Sequence, residues 1–101
     1  MSDNFVFPES FGDYLKQSLT YWIEEAVCPG HFVTAVLTND LFEAIARADS
    51  ENARILPDIV RWIYSNAPRG CWGSDEEMKT WKSLGGLKGI ENAEATEVTG
   101  S

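Results

Sequence analysis

The chain has 101 residues, of which 44% are hydrophobic, and a formal net charge of −8 at pH 7. This length favours one domain with a single core. Because binding through phosphates needs a surplus of lysine and arginine, the charge argues against direct contact with nucleic acid. The acidic composition fits plain solubility, a basic protein partner or imitation of nucleic acid.

The sequence shows no recognisable targeting signal and no residues spaced as metal ligands. No secretory signal opens the chain and no apolar run is long enough to span a bilayer, which predicts a cytoplasmic protein without a membrane segment. Cys28 and Cys71 are the only cysteines and lack C-x-x-C spacing, which indicates reduced thiols. With one histidine in the chain, a closed zinc site is not expected.

An N-terminal arm and a first helix begin the chain. In residues 5–7, side chains that alternate in direction could dock on the core. Ser10 and Asp13 resemble a capping box, which predicts a helix from there to about Ala26. Residues 28–30, Cys-Pro-Gly, end that helix. Its apolar stripe is predicted to contain Phe11, Leu15, Leu19, Trp22, Ile23 and Ala26.

The segment from Gly30 to Asp49 is predicted to be one central helix, because apolar residues recur every three to four positions and no proline interrupts them. So wide an apolar surface needs cover on more than one side, so we expect the neighbouring helices to enclose it. The stripe and its flanks are predicted to contain Phe32, Val33, Val36, Leu37, Leu41, Ala44, Ile45 and Ala48.

A third helix is predicted over residues 51–66, where Pro57 indicates either a kink or a start at Leu56. Its inner stripe is predicted to contain Ala53, Leu56, Val60 and Ile63, with Ile55, Ile59 and Trp62 on a flank. Ser74 begins a capping box for a short fourth helix through about Ser83, which two glycines stop. The predicted fold is therefore all-α. A bundle of three main helices plus a short fourth helix forms a single domain over residues 1–90, and a flexible acidic tail covers 91–101.

The motif search favours a protein without catalysis. There is no glycine-rich phosphate loop, no Ser-His-Asp arrangement and no recognisable metal-ligand set, so we expect no catalytic residues, no cofactor and no metal. Cys28 and His31 are close in sequence, but a helix break separates them and no orienting acid is evident.

Seven residues are candidates for partner binding. Carboxylates on one helical face could contact a partner, although Glu43 and Arg47 could equally form an ordinary surface pair. Trp72 could either plug the open end of the bundle or serve as an exposed anchor. The candidates are Asn39, Asp40, Glu43, Arg47, Asp49, Arg69 and Trp72.

Two segments, residues 21–49 and 59–74, resemble a family of short uncharacterised proteins encoded by phages and prophages. The matching positions are Pro29, Gly30, Phe32, Ala35 to Leu37, Asn39 to Leu41, Arg47 to Asp49, Ala67, Pro68, Trp72 to Ser74, and Trp81. Pro57 departs from the family pattern. The resemblance implies a phage or prophage origin and a cytoplasmic role in an infected bacterium, and it implies no activity.

Together these features favour a non-enzymatic protein that binds a host or phage protein or a nucleoprotein complex, for example as an anti-defence inhibitor of the anti-CRISPR or nucleic-acid-mimic type. A small-molecule or nucleotide binder is the first alternative, with a polar cluster of Asn39, Asp40, Arg47 and Asp49. The second alternative is a dimeric structural accessory protein that associates through an exposed apolar face.

Overall fold

The computed structural model describes residues 5–92, and the elements in this range are helices. The all-α class is therefore confirmed for these residues, whereas the count of three main helices and a fourth is wrong. The helices are α1 (Asp13–Glu25), α2 (His31–Leu37), α3 (Leu41–Arg47), α4 (Ser50–Asn66), a 3-10 turn (Arg69–Cys71) and α5 (Asp75–Leu84). Residues 86–92 are also helical.

The predicted central helix is wrong as one continuous rod, because the chain leaves the helix after Leu37. Asn39 has a φ of 65°, a left-handed conformation that asparagine adopts more readily than most residues. The Asp40 side chain then accepts a hydrogen bond from the backbone N–H of Glu43 at 3.2 Å and caps α3. Asn39 thus lies where α2 has ended, and Asp40 begins α3. The two short helices pack against each other.

The core lies between α1, α2, α4 and α5. The α1 stripe is confirmed, since each of its predicted members is buried. In α4 the buried face is rotated toward the predicted flank. Leu56 and Ile63 of the predicted stripe are buried, but Ala53 and Val60 are exposed, whereas the flank residues Ile59 and Trp62 are buried. The helix runs unbroken through Pro57, so a start at Leu56 is wrong.

The N-terminal arm docks on Trp62 as alternation in residues 5–7 predicts. The rings of Phe7 and Trp62 are stacked with centroids 4.5 Å apart, and the rings of Phe5 and Trp62 are T-shaped with centroids 5.9 Å apart. The Trp62 Nε1–H donates to the backbone carbonyl of Val6 at 2.8 Å, while the Val6 side chain is exposed. The arm therefore covers one end of the core.

The helix caps agree only in part with the sequence signals. Gly12, not Ser10, is the N-cap of α1, because the chain from Pro8 to Phe11 forms a hydrogen-bonded turn before the helix begins. Ser74 caps α5 as predicted, and its hydroxyl accepts from the backbone N–H of Glu77 at 3.1 Å.

Two glycines end α5 and direct the chain back onto α1. Gly85 and Gly86 have φ values of 81° and 74°, and Gly86 packs against the backbone of Glu24. Beyond this turn, Lys88 Nζ lies 3.1 Å from Glu25 Oε2, and this hydrogen bond raises the lysine pKa. Residues 91 and 92 of the predicted tail are helical, and residues 93–101 lie outside the described part of the chain.

Candidate functional site

The carboxylates among the candidate residues already have structural roles. Asp40 caps α3, and Asp49 caps α4 by accepting from the backbone N–H of Asn52 at 2.8 Å. Glu43 and Arg47 form an exposed pair one helical turn apart, with Oε2 and Nε separated by 2.7 Å. Such pairs stabilise a helix by a few tenths of a kcal/mol. The contacts of Asp40, Glu43, Arg47 and Asp49 are therefore ordinary caps and pairs of a helix and do not by themselves indicate a binding site.

Arg69 and Trp72 form a second group with Tyr64, at the opposite end of α4 from Asp49. The guanidinium carbon of Arg69 lies 5.1 Å from the Trp72 ring centroid, and the Tyr64 ring lies 5.8 Å from it. The Trp72 side chain is half-buried, so it is both part of the bundle wall and part of the surface.

Trp72 differs from the other three tryptophans in its hydrogen bonding. The indole N–H groups of Trp22, Trp62 and Trp81 each donate to a backbone carbonyl. Trp72 Nε1 is buried and has no hydrogen-bond partner among the described residues. A buried donor without an acceptor costs about 1–3 kcal/mol, so fold stability alone does not favour an indole here.

The most unusual surface is apolar and begins on α3. Leu41, Phe42 and Ile45 are 62%, 87% and 53% exposed, whereas Ala44 is the residue of α3 that is buried. The surface continues onto α4, where Val60 and Tyr64 are also exposed. We call these five residues the α3–α4 apolar face.

Three depressions connect this face, and Asn39 lies at the rim of each. A cleft of about 50 Å³ separates Leu41 from Val60. A larger one of about 240 Å³, which we call the aromatic pocket, lies between Val60, Tyr64 and Trp72. Because neighbouring depressions share lining residues, Leu41, Phe42, Val60, Tyr64 and Trp72 form one continuous surface. Ile45 lines none of the three depressions and lies one helical turn after Leu41.

The third depression, which we call the acidic depression, lies at the α3 end of the face. The Asp40 and Asp75 carboxylates line it together with Leu41 and Phe42. No lysine, arginine or histidine lines any of these three depressions. The surroundings of the apolar face are therefore acidic at one end and aromatic at the other.

A separate cavity of about 520 Å³ lies where the first residues of α1, α2 and α4 meet. It brings Arg47 and Asp49 together with His31 and Tyr14. Asn39 and Asp40 line the depressions of the apolar face instead, so the structure divides the polar cluster named in the first alternative between two places.

The sequence pattern identified Asp40 and Trp72 at the edges of the apolar face but missed its centre. Leu41, Ile45 and Val60 are predicted core residues that the structure exposes, and Phe42 and Tyr64 are not among the predicted contact residues. The sequence signal that could have shown the break is Asn39-Asp40. Asparagine adopts the left-handed conformation readily and aspartate is a good N-cap, so the pair indicates that one helix ends and another begins there.

The two cysteines have opposite environments. Cys28 is exposed, and Cys71 is fully buried, where burial raises the pKa of its thiol to about 12. Within residues 5–92, no group of three or more histidine, cysteine, aspartate or glutamate side chains could hold a metal ion. No helix in the same range has the length and apolarity needed to cross a membrane.

Comparisons of the chain with known protein families, with curated proteins and with solved structures found no match.

Proposed function

We propose that this chain is a non-enzymatic protein that acts by binding another protein through the α3–α4 apolar face. The observation that carries the proposal is the exposure of Leu41, Phe42 and Ile45 side by side on one short helix. Exposed large apolar side chains that form one patch mark interaction sites more often than isolated ones do.

The size of the face supports this function. Phe42 is 87% and Tyr64 is 69% exposed, which leaves on the order of 300 Å² of aromatic surface in contact with water. The largest apolar patch on a typical monomer is roughly 300–600 Å² in total, and large patches are often functional. Burial of this surface against a partner would release a corresponding hydrophobic free energy.

The nature of the partner rests on the sequence resemblance and on charge. A phage or prophage origin makes a protein or nucleoprotein complex of the bacterial host the target, with inhibition of a host defence as the most specific form of the proposal. The net charge of −8 would accelerate association with a basic partner and disfavour approach to nucleic acid itself.

Affinity capture from host lysate tests the proposal. The tagged chain should recover a specific protein, and the double substitution L41S/F42S should abolish the recovery while the fold is retained, because both side chains are exposed. Tyr14→Ser is the matched control, since Tyr14 is 72% exposed but lies in the separate cavity. Absence of a specific partner at low and at moderate salt would contradict the proposal.

A small-molecule binder is a second candidate because of the separate cavity. Its volume of about 520 Å³ falls within the usual range of ligand sites, and Arg47 and His31 could contact an anionic group. A thermal-shift screen with nucleotides and metals would favour this candidate if one compound raised Tm and Arg47→Gln removed the effect. No shift with any compound would count against it.

Self-association through the same face is the third candidate, and charge opposes it. Each copy carries −8, so two copies repel one another unless the buried apolar area compensates. Sedimentation measurements that give a monomer at high concentration would eliminate a dimer.

A further inference from the structure

We infer that the α3–α4 apolar face receives an amphipathic helix whose flanking residues are basic. This inference rests on the proposed function, because it specifies the partner segment that the same surface binds. Two features carry it: the shape of the surface, with the aromatic pocket at one end, and the distribution of charge along it.

The surface has the form that helix-in-groove recognition uses. The cleft between Leu41 and Val60 connects the acidic depression to the aromatic pocket, so an elongated ligand can contact all three places. A volume of about 240 Å³ in the aromatic pocket accommodates one large apolar side chain, whereas about 50 Å³ in the cleft accepts only a small one. Helical ligands present such anchors at positions i, i+3 or i+4, and i+7.

Charge distribution determines the second property of the ligand. Asp40 accepts one backbone hydrogen bond and forms no ion pair within residues 5–92, so its carboxylate can receive a lysine or arginine of the partner. Asp75 pairs with Lys79 at 3.2 Å, but both side chains are more than 70% exposed, and exposed pairs of this kind contribute little. The acidic depression therefore complements a positive charge.

The two ends of the surface also orient the ligand. Arg69 lies over Trp72 beside the aromatic pocket, which makes that end unfavourable for a second cation. At the other end, Phe42 is next to Asp40 and Asp75, where an aromatic ring and two carboxylates would both favour a cation. The basic residues of the ligand should therefore contact α3, and its large apolar anchor should contact Trp72.

Other occupants fit less well. A second copy of this acidic chain would bring like charges together. An extended peptide that adds to a sheet needs an exposed strand edge, and the described residues form no strand. Nucleic acid would place phosphates against Asp40 and Asp75.

A displayed library of random 18-residue peptides, selected on the folded chain, tests the inference. We expect enrichment of peptides with apolar residues at helical spacing and with lysine or arginine toward one end. Selection on the L41S/F42S variant should lose this enrichment. Enriched peptides that are neutral or acidic, or that lack helical spacing, would overturn the inference, and so would a failure to enrich any peptide.

Charge variants then test orientation with the best enriched peptide. Asp40→Asn keeps the N-cap, because asparagine caps helices as well as aspartate does, and it removes the charge. We expect Asp40→Asn and Asp75→Asn each to weaken binding about two- to fivefold, and Asp58→Asn to leave it unchanged. Asp58 lies two residues before Val60 and therefore faces another side of α4. Equal effects of all three variants would overturn the inference.

The two proposals fail in different ways. If affinity capture recovers a protein that depends on Leu41 and Phe42, but the bound segment is not a basic helix, the proposed function stands and the inference is wrong. If capture recovers no protein while basic helical peptides bind, the surface has the predicted peptide preference but the proposed function, and with it the assignment of a partner segment, is wrong.

Discussion

The indole N–H of Trp22 donates to the backbone carbonyl of Cys71 at 3.0 Å, so α1 is joined directly to the 3-10 turn. The backbone carbonyl of Trp22 in turn accepts from the indole N–H of Trp81 at 3.0 Å. Both bonds are buried, and they connect residues 49 and 59 positions apart in sequence. One residue of α1 thus fixes the positions of the two elements that follow α4.

Because of these bonds, replacing different tryptophans should change the free energy of unfolding by different amounts. We expect Trp22→Phe and Trp81→Phe each to lower the free energy of unfolding by about 2–4 kcal/mol, since each puts a smaller ring in the core and removes a buried hydrogen bond. Trp22→Phe removes the indole donor to the Cys71 carbonyl, whereas after Trp81→Phe the Trp22 carbonyl keeps only the Ala26 backbone N–H. Trp72→Phe is the control, because its indole N–H has no partner to lose. Denaturant unfolding measures all three. A loss at Trp72 as large as the other two would contradict the assignment.

The return of the chain onto α1 depends on Gly86. A Cβ at this position would lie 2.6 Å from the backbone of Glu24, and its φ of 74° disfavours any other residue. We expect Gly86→Ala to cost about 2–4 kcal/mol in unfolding free energy, or to release residues 86–92 from α1 as faster amide exchange. Gly12→Ala is the comparison variant: nothing lies within 4 Å of its added Cβ, so it should cost no more than about 1 kcal/mol, through the poorer N-cap alone. Similar effects at both glycines would show that Gly86 is not closely packed.

The corner between α2 and α3 should depend on the Asp40 cap. We expect Asp40→Ala to lower the unfolding free energy by about 1 kcal/mol, because the backbone N–H of Glu43 loses its acceptor. Asp40→Asn should leave stability nearly unchanged, since asparagine accepts the same bond. Circular dichroism during thermal unfolding separates the two variants, and an equal loss for both would indicate that charge, not capping, matters at this corner.

The two thiols should differ in reactivity. Cys28 is exposed and should react with iodoacetamide at pH 8, whereas Cys71 should stay unmodified until the chain unfolds. Burial raises the pKa of the Cys71 thiol from 9.0 to about 12, so little thiolate exists in the folded state. In Cys28→Ser, native labelling should disappear. Rapid labelling of that variant would show that Cys71 is accessible.

The same raised pKa predicts a loss of stability in alkali. Since the folded-state value lies above the unfolded one, the unfolded chain releases the Cys71 proton first as pH rises. The contribution of the protonated Cys71 thiol to the free energy of unfolding is complete below about pH 9. It decreases between pH 9 and about 12, by at most about 1.4 kcal/mol per pH unit. Cys71→Ala should show a shallower decrease over this range, and an identical slope would contradict the assignment.

The sequence was sufficient to predict features that depend on local chemistry. The α1 stripe, the Ser74 cap and the docking of residues 5–7 follow from periodicity, capping preference and alternation, each of which acts over a few residues. The end of α5 at Gly85 and Gly86 is likewise predictable, because glycine adopts positive φ values more readily than other residues.

The apolar face could not be predicted in the same way. Leu37 and Leu41 are four residues apart, so the helical period continues across Asn39-Asp40 although the helix does not. The spacing of apolar residues also does not show whether another element covers them. Leu41 and Ile45 therefore have the same spacing as core residues although they are exposed. Only the packing of α2 against α3 and α4 shows that one half of the predicted helix is buried and the other half is exposed.

Site-specific photocrosslinking tests most directly whether the α3–α4 apolar face binds a partner protein. A benzophenone amino acid replaces Phe42 in one variant and Tyr14 in a matched control, and both are irradiated in the organism that encodes the chain. We expect one specific protein adduct from position 42 and none from position 14. Adducts of equal yield from both positions, or no adduct from position 42, would contradict the account.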